Sequence, residues 1–200
     1  MGPAVILFAH GAGASSSHPW MRAWAERLVA FGRVHTFDYA YMASGSKRPD
    51  PLPRLVAHHA EALKGARATA EDASVFLAGK SMGGRVSCHL AAEQDTGARG
   101  VICFGYPLRS AGAGKSRAEI LARLRLPVLF VQGTRDPLCP TDELVSLLPS
   151  LACPATLHLV DDGDHSLQVA KRTLARTGRT QDDVDRAIAR AVGDFIAAWR

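Results

Sequence analysis

The amino-acid sequence predicts a doubly wound α/β fold, in which helices cover both faces of one six-stranded parallel sheet. Short apolar runs, often rich in β-branched residues, alternate along the chain with segments whose apolar residues recur at helical spacing. The runs are nearly continuous in apolarity, as expected for strands that are covered on both faces. The predicted strands are residues 5–9, 34–39, 75–78, 101–104, 128–132 and 156–160.

Five amphipathic helices are predicted between and after these strands. The first two are expected to end at Gly32 and Gly65, and the fourth to begin behind the N-cap Thr141. The fifth has the clearest start, because Thr180 and Asp183 resemble a capping box in which aspartate replaces Glu or Gln. The apolar stripes of the five helices are Trp20, Trp24, Leu28 and Phe31; Leu52, Leu55, Val56, His59 and Leu63; Met82, Val86 and Leu90; Leu144, Leu147 and Leu148; and Val184, Ile188, Val192, Phe195, Ile196 and Trp199.

The composition indicates a single globular domain over residues 1–200. With 47% hydrophobic and 22% charged residues, a disordered or collagen-like protein is excluded. Residues 3–9 form the longest apolar stretch near the start, and no basic run precedes them. We therefore expect no signal peptide, no membrane span and a cytoplasmic location. The cysteines show no zinc-ligand spacing and are predicted to be free thiols: Cys88, Cys103, Cys139 and Cys153.

The net charge is +5, and basic residues are spread among acidic ones except in the segment 166–180, which holds four cations and no acid. Two interpretations stay open: a solvated connection to the last helix, or arginines that bind a carboxylate or phosphate of a substrate. The segment has no aromatic residue on which bases could stack, so nucleic acid is not expected as a partner. Its cations are Lys171, Arg172, Arg176 and Arg179.

The motif Gly-Lys-Ser-Met-Gly at residues 79–83 matches the pattern G-x-S-x-G. A predicted strand leads directly into it and a predicted helix leaves it, which is the setting of a nucleophile elbow. Glycines on both sides allow the serine to occupy a strained turn where neighbouring backbone passes closely. Ser81 is therefore the candidate nucleophile. The alternative is a tight turn in which Ser81 only caps the helix.

A serine nucleophile needs a histidine base and a carboxylate that orients the base. Asp136 and His165 each follow a later predicted strand, so that Ser81, Asp136 and His165 occur in the chain order of an α/β-hydrolase. Asp38, which lies near the end of the second predicted strand, is a rival for the acid. Turn or capping roles suit the carboxylates next to the histidine better: Asp161, Asp162 and Asp164.

Acyl transfer also needs N–H donors for a tetrahedral oxyanion. One predicted donor is the backbone of Met82, directly after the candidate nucleophile, and the other is Ala12 in the His-Gly-Ala-Gly loop after the first strand, with Gly13 as its rival. We expect His10 to brace this loop rather than to titrate in catalysis. No metal or organic cofactor is expected for this chemistry.

The segments HGAG, GKSMGGR, GYPL, FVQGTRDP and DGDHSL together resemble a small α/β-hydrolase-like family. This family includes dienelactone-hydrolase-like bacterial proteins and the hydrolase-like domain of a chromatin-acetylation complex subunit. The resemblance covers residues 5–199 and implies a Ser81, Asp136, His165 triad and the strand order 2-1-3-4-5-6. Because only residues 105–126 separate the strands where a cap domain is often inserted, it also implies an open site.

The expected function is that of a serine hydrolase, similar to a carboxylesterase or thioesterase, with a small acyl substrate. One alternative is a catalytically silent hydrolase fold that serves as a binding or scaffolding protein. Another is a P-loop nucleotide binder, because residues 79–81 and 114–116 both read Gly-Lys-Ser. The first glycine of the P-loop pattern is missing in both places, where Ser74 and Arg109 stand. The oligomeric state and the substrate-binding residues stay open.

Overall fold

The computed structural model describes residues 4–70, 72–110, 112, 114 and 116–200. The strands are β1 (Ala4–Ala9), β2 (Gly32–Phe37), β3 (Val75–Lys80), β4 (Gly100–Phe104), β5 (Val128–Gly133) and β6 (Ala155–Val160). The helices are α1 (Pro19–Leu28), α2 (Ala40–Ala43), α3 (Leu52–Ala68), α4 (Met82–Glu93), α5 (Ala118–Arg123), α6 (Thr141–Leu147), α7 (Lys171–Thr177) and α8 (Gln181–Trp199). Short 3-10 turns follow α1 and α6, at Val29–Phe31 and Leu148–Ser150.

The strands form one sheet in the order β2-β1-β3-β4-β5-β6, and every neighbouring pair is parallel. This confirms the predicted fold class and strand order. Because all strands run in one direction, their carboxyl ends lie at the same edge of the sheet. Residues that follow different strands are thereby brought close together.

Side chains alternate between the two faces of the sheet and build two cores. In β1, Val5 and Leu7 point into the core that includes buried residues of α3, α4, α5 and α6. Ile6 and Phe8 point into the opposite core, which is filled mainly by α1 and α8. The strands are thus covered on both faces, as their continuous apolarity indicates. Of the helices in the described ranges, none combines the length and apolarity needed to cross a bilayer.

Two predicted helix boundaries are wrong, and two are confirmed. Gly32 ends the first helical segment as predicted, as the C-cap of the 3-10 turn that follows α1, and it also begins β2, where a Cβ would lie 2.1 Å from the Ala4 carbonyl oxygen of the neighbouring strand. Gly65 lies inside α3, which continues through good helix formers to Ala68. Pro140, not Thr141, is the N-cap of α6.

The capping box at the start of α8 is present, with reciprocal hydrogen bonds between Thr180 and Asp183. Three helices that the sequence pattern did not predict, α2, α5 and α7, contain 4, 6 and 7 residues. Helices of this length offer at most about two turns over which an apolar stripe could repeat.

Candidate active site

Ser81 lies between β3 and α4 in a strained backbone conformation, with φ 51° and ψ −112°. A Cβ at Gly79 would lie 2.3 Å from the Gly83 carbonyl carbon, and a Cβ at Gly83 would lie 2.4 Å from the Ala9 carbonyl oxygen. Only glycine fits at these two positions, because α4 packs directly on the ends of the strands. The motif therefore has the strand, turn and helix geometry of the predicted nucleophile elbow.

The structure brings the three candidate triad residues together in one hydrogen-bonded chain. The Ser81 Oγ lies 2.8 Å from His165 Nε2. The His165 Nδ1 lies 2.7 Å from Asp136 Oδ2. The three residues follow β3, β5 and β6, so the parallel sheet places them at one edge.

Asp136 is buried, with only 3% of its surface exposed. Its Oδ2 also accepts a hydrogen bond of 2.6 Å from Gln132 Nε2, and its Oδ1 accepts one of 2.8 Å from the Leu138 N–H. Burial raises the pKa of Asp136, but the hydrogen bonds and the charge of His165 outweigh it, so that the pKa is lowered overall. Sequence reasoning missed Gln132, although a glutamine in an otherwise apolar strand was an available signal.

The loops after β5 and β6 are joined by backbone contacts. The Arg135 N–H donates to the Gly163 carbonyl at 2.8 Å, and a Cβ at Gly133 would lie 2.3 Å from the same oxygen. Asp164 accepts hydrogen bonds from the N–H groups of Ser166 and Gln168 and so holds the turn that follows His165. These contacts fix the position of the histidine relative to Asp136.

The rival carboxylates have other partners. Asp38 accepts a hydrogen bond of 2.6 Å from the Ser16 N–H and lies 3.7 Å from His10 Nε2. Asp162 pairs with Arg135 at 3.1 Å. Asp136 is therefore the carboxylate that the structure places on His165.

The loop after β1 runs beside the serine, since a Cβ at Gly11 would lie 3.7 Å from Ser81 Cβ. His10 Nδ1 donates to the Gly11 carbonyl at 2.6 Å, and His10 Nε2 accepts from the Tyr39 N–H at 3.2 Å. Burial lowers the pKa of His10, which suits a neutral ring that braces the loop. Both candidate donors, Ala12 and Gly13, lie on the cavity wall. Met82 is the first residue of α4.

A cavity of about 420 Å³ opens over the serine. Lys80 lies in its wall and is only 9% exposed. The Lys80 Nζ donates to the His165 carbonyl and lies 5.6 Å from the ring centre of Trp20. Burial lowers the pKa of Lys80 to about 8, although Asp136 and Asp164 act to raise it. The cavity is lined by Gly11, Ala12, Gly13, Ala14, His18, Trp20, Met21, Lys80, Ser81, Leu138, His165 and Ser166.

Arg172 and Arg176 line a different surface cavity, of about 470 Å³, beside Asp161 and Asp162. Neither arginine lines the cavity over the serine, which favours the interpretation that they are not substrate ligands.

All four cysteines are buried free thiols. In the described part of the chain, no group of three or more His, Cys, Asp or Glu side chains is arranged to hold a metal ion.

The two Gly-Lys-Ser segments do not support a P-loop. Residues 79 and 80 end the strand β3, and Ser81 forms the turn that follows it. This geometry differs from the glycine-rich loop that cradles a phosphate. In the second segment, Lys115 lies outside the described residues.

A family model described as an alpha/beta hydrolase domain matches residues 2–197. Similar solved structures include DcsB in complex with its substrate analogue, with a TM-score of 0.77 and 15% identity over 98% of this chain and 90% of that chain. Est1E from Butyrivibrio proteoclasticus with bound ferulic acid has a TM-score of 0.72 and 16% identity, covering 98% of this chain and 89% of that chain.

Dienelactone hydrolase from Anabaena variabilis ATCC 29413 has a TM-score of 0.69 and 21% identity, covering 98% of this chain and 87% of that chain. At such low identities, these three structures show a shared fold. The resemblance to the domain of a chromatin-acetylation complex subunit stays a prediction.

Proposed function

The chain belongs to the alpha/beta hydrolase domain family, and on that premise we propose that it is a serine hydrolase that cleaves a small ester or thioester. The observation that carries the proposal is the continuous hydrogen-bonded chain from Asp136 through His165 to Ser81. Such a chain is what an otherwise weak serine nucleophile needs at neutral pH.

In the proposed reaction, Ser81 Oγ attacks the substrate carbonyl carbon while His165 Nε2 takes the serine proton. The carbonyl electron pair moves to the oxygen, and the buried Asp136 carboxylate stabilises the imidazolium. His165 then gives the proton to the leaving alkoxide or thiolate, and an acyl-enzyme forms. A water molecule, deprotonated by the same histidine, releases the acid and regenerates Ser81.

The oxyanion of each tetrahedral intermediate requires donors that are fixed before the reaction. We assign one donor to the Met82 N–H, which follows the nucleophile at the start of α4. The second donor comes from the loop beside Ser81, with Ala12 as the first candidate and Gly13 as the other. Ala12 and Gly13 both lie in the cavity wall.

The cavity favours short or medium acyl groups. Its volume of about 420 Å³ lies in the range of small-molecule sites, roughly 300–1,000 Å³, and its walls include the apolar side chains of Trp20, Met21 and Leu138. Between β4 and β5 the described residues form only one helix, the short α5. The proposed substrate therefore enters without the opening of a cap domain. Esters and thioesters both react through this acyl-enzyme chemistry.

Labelling with a fluorophosphonate probe tests the proposal. The wild-type protein should be labelled and should hydrolyse short-chain p-nitrophenyl esters, whereas Ser81→Ala should lose both activities and keep its melting temperature. Ser166→Ala is a matched control, because Ser166 lines the same cavity and has no role in the proposed reaction. A folded wild-type protein that neither reacts with the probe nor hydrolyses esters or thioesters would instead favour the binding or scaffolding alternative.

A further inference from the structure

We propose that Tyr41 is a positioning residue that fixes the Gly13 N–H, one of the two candidate oxyanion donors of the loop, through the carbonyl group of Ala12. The Tyr41 hydroxyl donates a hydrogen bond of 2.9 Å to the Ala12 carbonyl oxygen. This inference rests on the proposed function, since it concerns the same site. Neither the composition nor the motifs pointed to Tyr41.

Two successive peptide groups of the loop are held by their carbonyl oxygens. His10 Nδ1 binds the Gly11 carbonyl at 2.6 Å, and Tyr41 Oη binds the Ala12 carbonyl. The rings of His10 and Tyr41 pack against each other edge to face, with centres 6.0 Å apart. Both carbonyl groups therefore point towards the same cluster of side chains.

A trans peptide group directs its C=O and the following N–H in opposite directions. Holding the Gly11 carbonyl thus orients the Ala12 N–H, and holding the Ala12 carbonyl orients the Gly13 N–H. Both N–H groups point away from the cluster formed by His10 and Tyr41. They are the two candidate oxyanion donors of the loop beside Ser81.

Tyr41 is itself held in place. Its side chain is buried, with 4% of the residue exposed, and its ring stacks on Tyr39 with centres 6.3 Å apart and an interplanar angle of 16°. Its carbonyl accepts hydrogen bonds from the Ser44 hydroxyl and the Ser46 N–H. Burial, with the nearby carboxylates of Asp38 and Asp50, raises the pKa of Tyr41 to about 12. The phenol therefore stays a neutral donor throughout the pH range in which the proposed reaction runs.

Loss of this hydroxyl should affect the transition state more than the ground state. A substrate carbonyl in the Michaelis complex carries little negative charge, whereas the tetrahedral intermediate carries a full charge that the fixed donors stabilise. Removing one oxyanion donor outright costs roughly 10²–10³ in kcat. A donor that is only less well oriented should cost part of that factor, on the order of tenfold.

The test compares Tyr41→Phe with Tyr106→Phe, both of which remove one buried hydroxyl that binds a backbone carbonyl. Tyr106 donates to the Arg117 carbonyl at 3.2 Å and does not line the cavity over Ser81. We expect Tyr41→Phe to lower kcat about tenfold with KM within twofold of wild type, and Tyr106→Phe to change neither. Incorporation of 3-fluorotyrosine at position 41, which keeps the hydroxyl, should retain wild-type kcat and gives a folded variant if Tyr41→Phe is unstable.

A trifluoromethyl ketone supplies the second measurement, because Ser81 adds to its carbonyl carbon and leaves an oxyanion. Its dissociation constant should rise in Tyr41→Phe by the same factor by which kcat/KM falls. Equal kcat and equal ketone affinity in Tyr41→Phe and Tyr106→Phe would overturn the role of Tyr41 while the proposed function stands. Failure of the wild type to react with the fluorophosphonate would instead remove the proposed function itself. A loss of kcat in the 3-fluorotyrosine protein would also count against positioning by the hydroxyl.

Discussion

Replacing Asp136 by asparagine should stop catalysis through the wrong histidine tautomer while the fold is kept. In the native protein Oδ2 accepts from His165 and Gln132, and Oδ1 accepts from the Leu138 N–H. An asparagine has only one acceptor oxygen. With that oxygen in the place of Oδ2, its NH₂ group would face the Leu138 N–H, donor against donor.

The opposite orientation keeps partners for Leu138 and for His165. The asparagine oxygen then accepts a hydrogen bond from the Leu138 N–H. One N–H of the asparagine donates to Gln132 Oε1, which lacks a partner in the native structure and reaches this N–H when the Gln132 amide group turns over. The other N–H donates to His165 Nδ1, so that the ring proton moves to Nε2. This orientation removes the repulsion between the asparagine NH₂ group and the Leu138 N–H, and we expect it to dominate. It leaves the Gln132 NH₂ group unpaired, because that group takes the place where Oε1 has no partner. A histidine with its proton on Nε2 cannot accept the Ser81 proton.

We expect kcat/KM for a short-chain ester to fall by about 10⁴ in Asp136→Asn, which corresponds to roughly 5.4 kcal/mol. The free energy of unfolding at neutral pH should fall by about 1–3 kcal/mol, because the buried Gln132 NH₂ group loses its acceptor. Ester hydrolysis and urea unfolding measure the two quantities, and Asp161→Asn, outside the cavity over the serine, is the matched control. The reasoning fails if Asp136→Asn keeps more than about a tenth of the wild-type rate, or if Asp38→Asn loses activity instead.

Three further outcomes are expected. Gly83→Ala should lower the free energy of unfolding by at least about 2 kcal/mol in a urea titration, because its methyl group would meet the Ala9 carbonyl oxygen at 2.4 Å; unchanged stability would contradict the close approach of α4 to the sheet. Burial lowers the pKa of Lys80 to about 8, whereas the pKa of an unburied lysine is about 10.4. Between these two pH values, Lys80 therefore binds its proton more strongly in the unfolded chain than in the folded protein. Wild-type stability should therefore rise relative to Lys80→Met as the pH increases from 8 to 10, and a constant difference would show that Lys80 is not desolvated. Arg172→Gln and Arg176→Gln should each change kcat/KM for a neutral and an anionic ester in equal proportion at low salt; a selective loss with the anionic ester would restore their role in substrate binding.

The sequence alone was sufficient to predict the class of fold. Six apolar runs alternate with amphipathic segments, and parallel strands that are covered on both faces have just this pattern. The strand order followed from the resemblance to a hydrolase family. Helix ends were less predictable, since α3 continues past the glycine at position 65 to Ala68.

The sequence also identified Ser81, Asp136 and His165 as candidates, because each type of residue stands directly after a strand in the expected order. What pattern cannot give is the set of side-chain contacts that orient the candidate residues and the loop beside them. Gln132 acts on Asp136 across the end of a strand, and Tyr41 reaches Ala12 from a helix of 4 residues. Neither belongs to a motif.

Only the tertiary structure decided how these groups surround the cavity. The parallel sheet brings the ends of β1, β3, β5 and β6 to one edge, and the glycine contacts at that edge fix the loops within ångströms of each other. The same packing buries Lys80 against the His165 carbonyl and places Arg172 and Arg176 beside a different cavity. Residue type and spacing determine which side chains can do the chemistry. Which of them share a cavity depends on long-range packing, because each contact joins segments that the sequence separates by tens of residues.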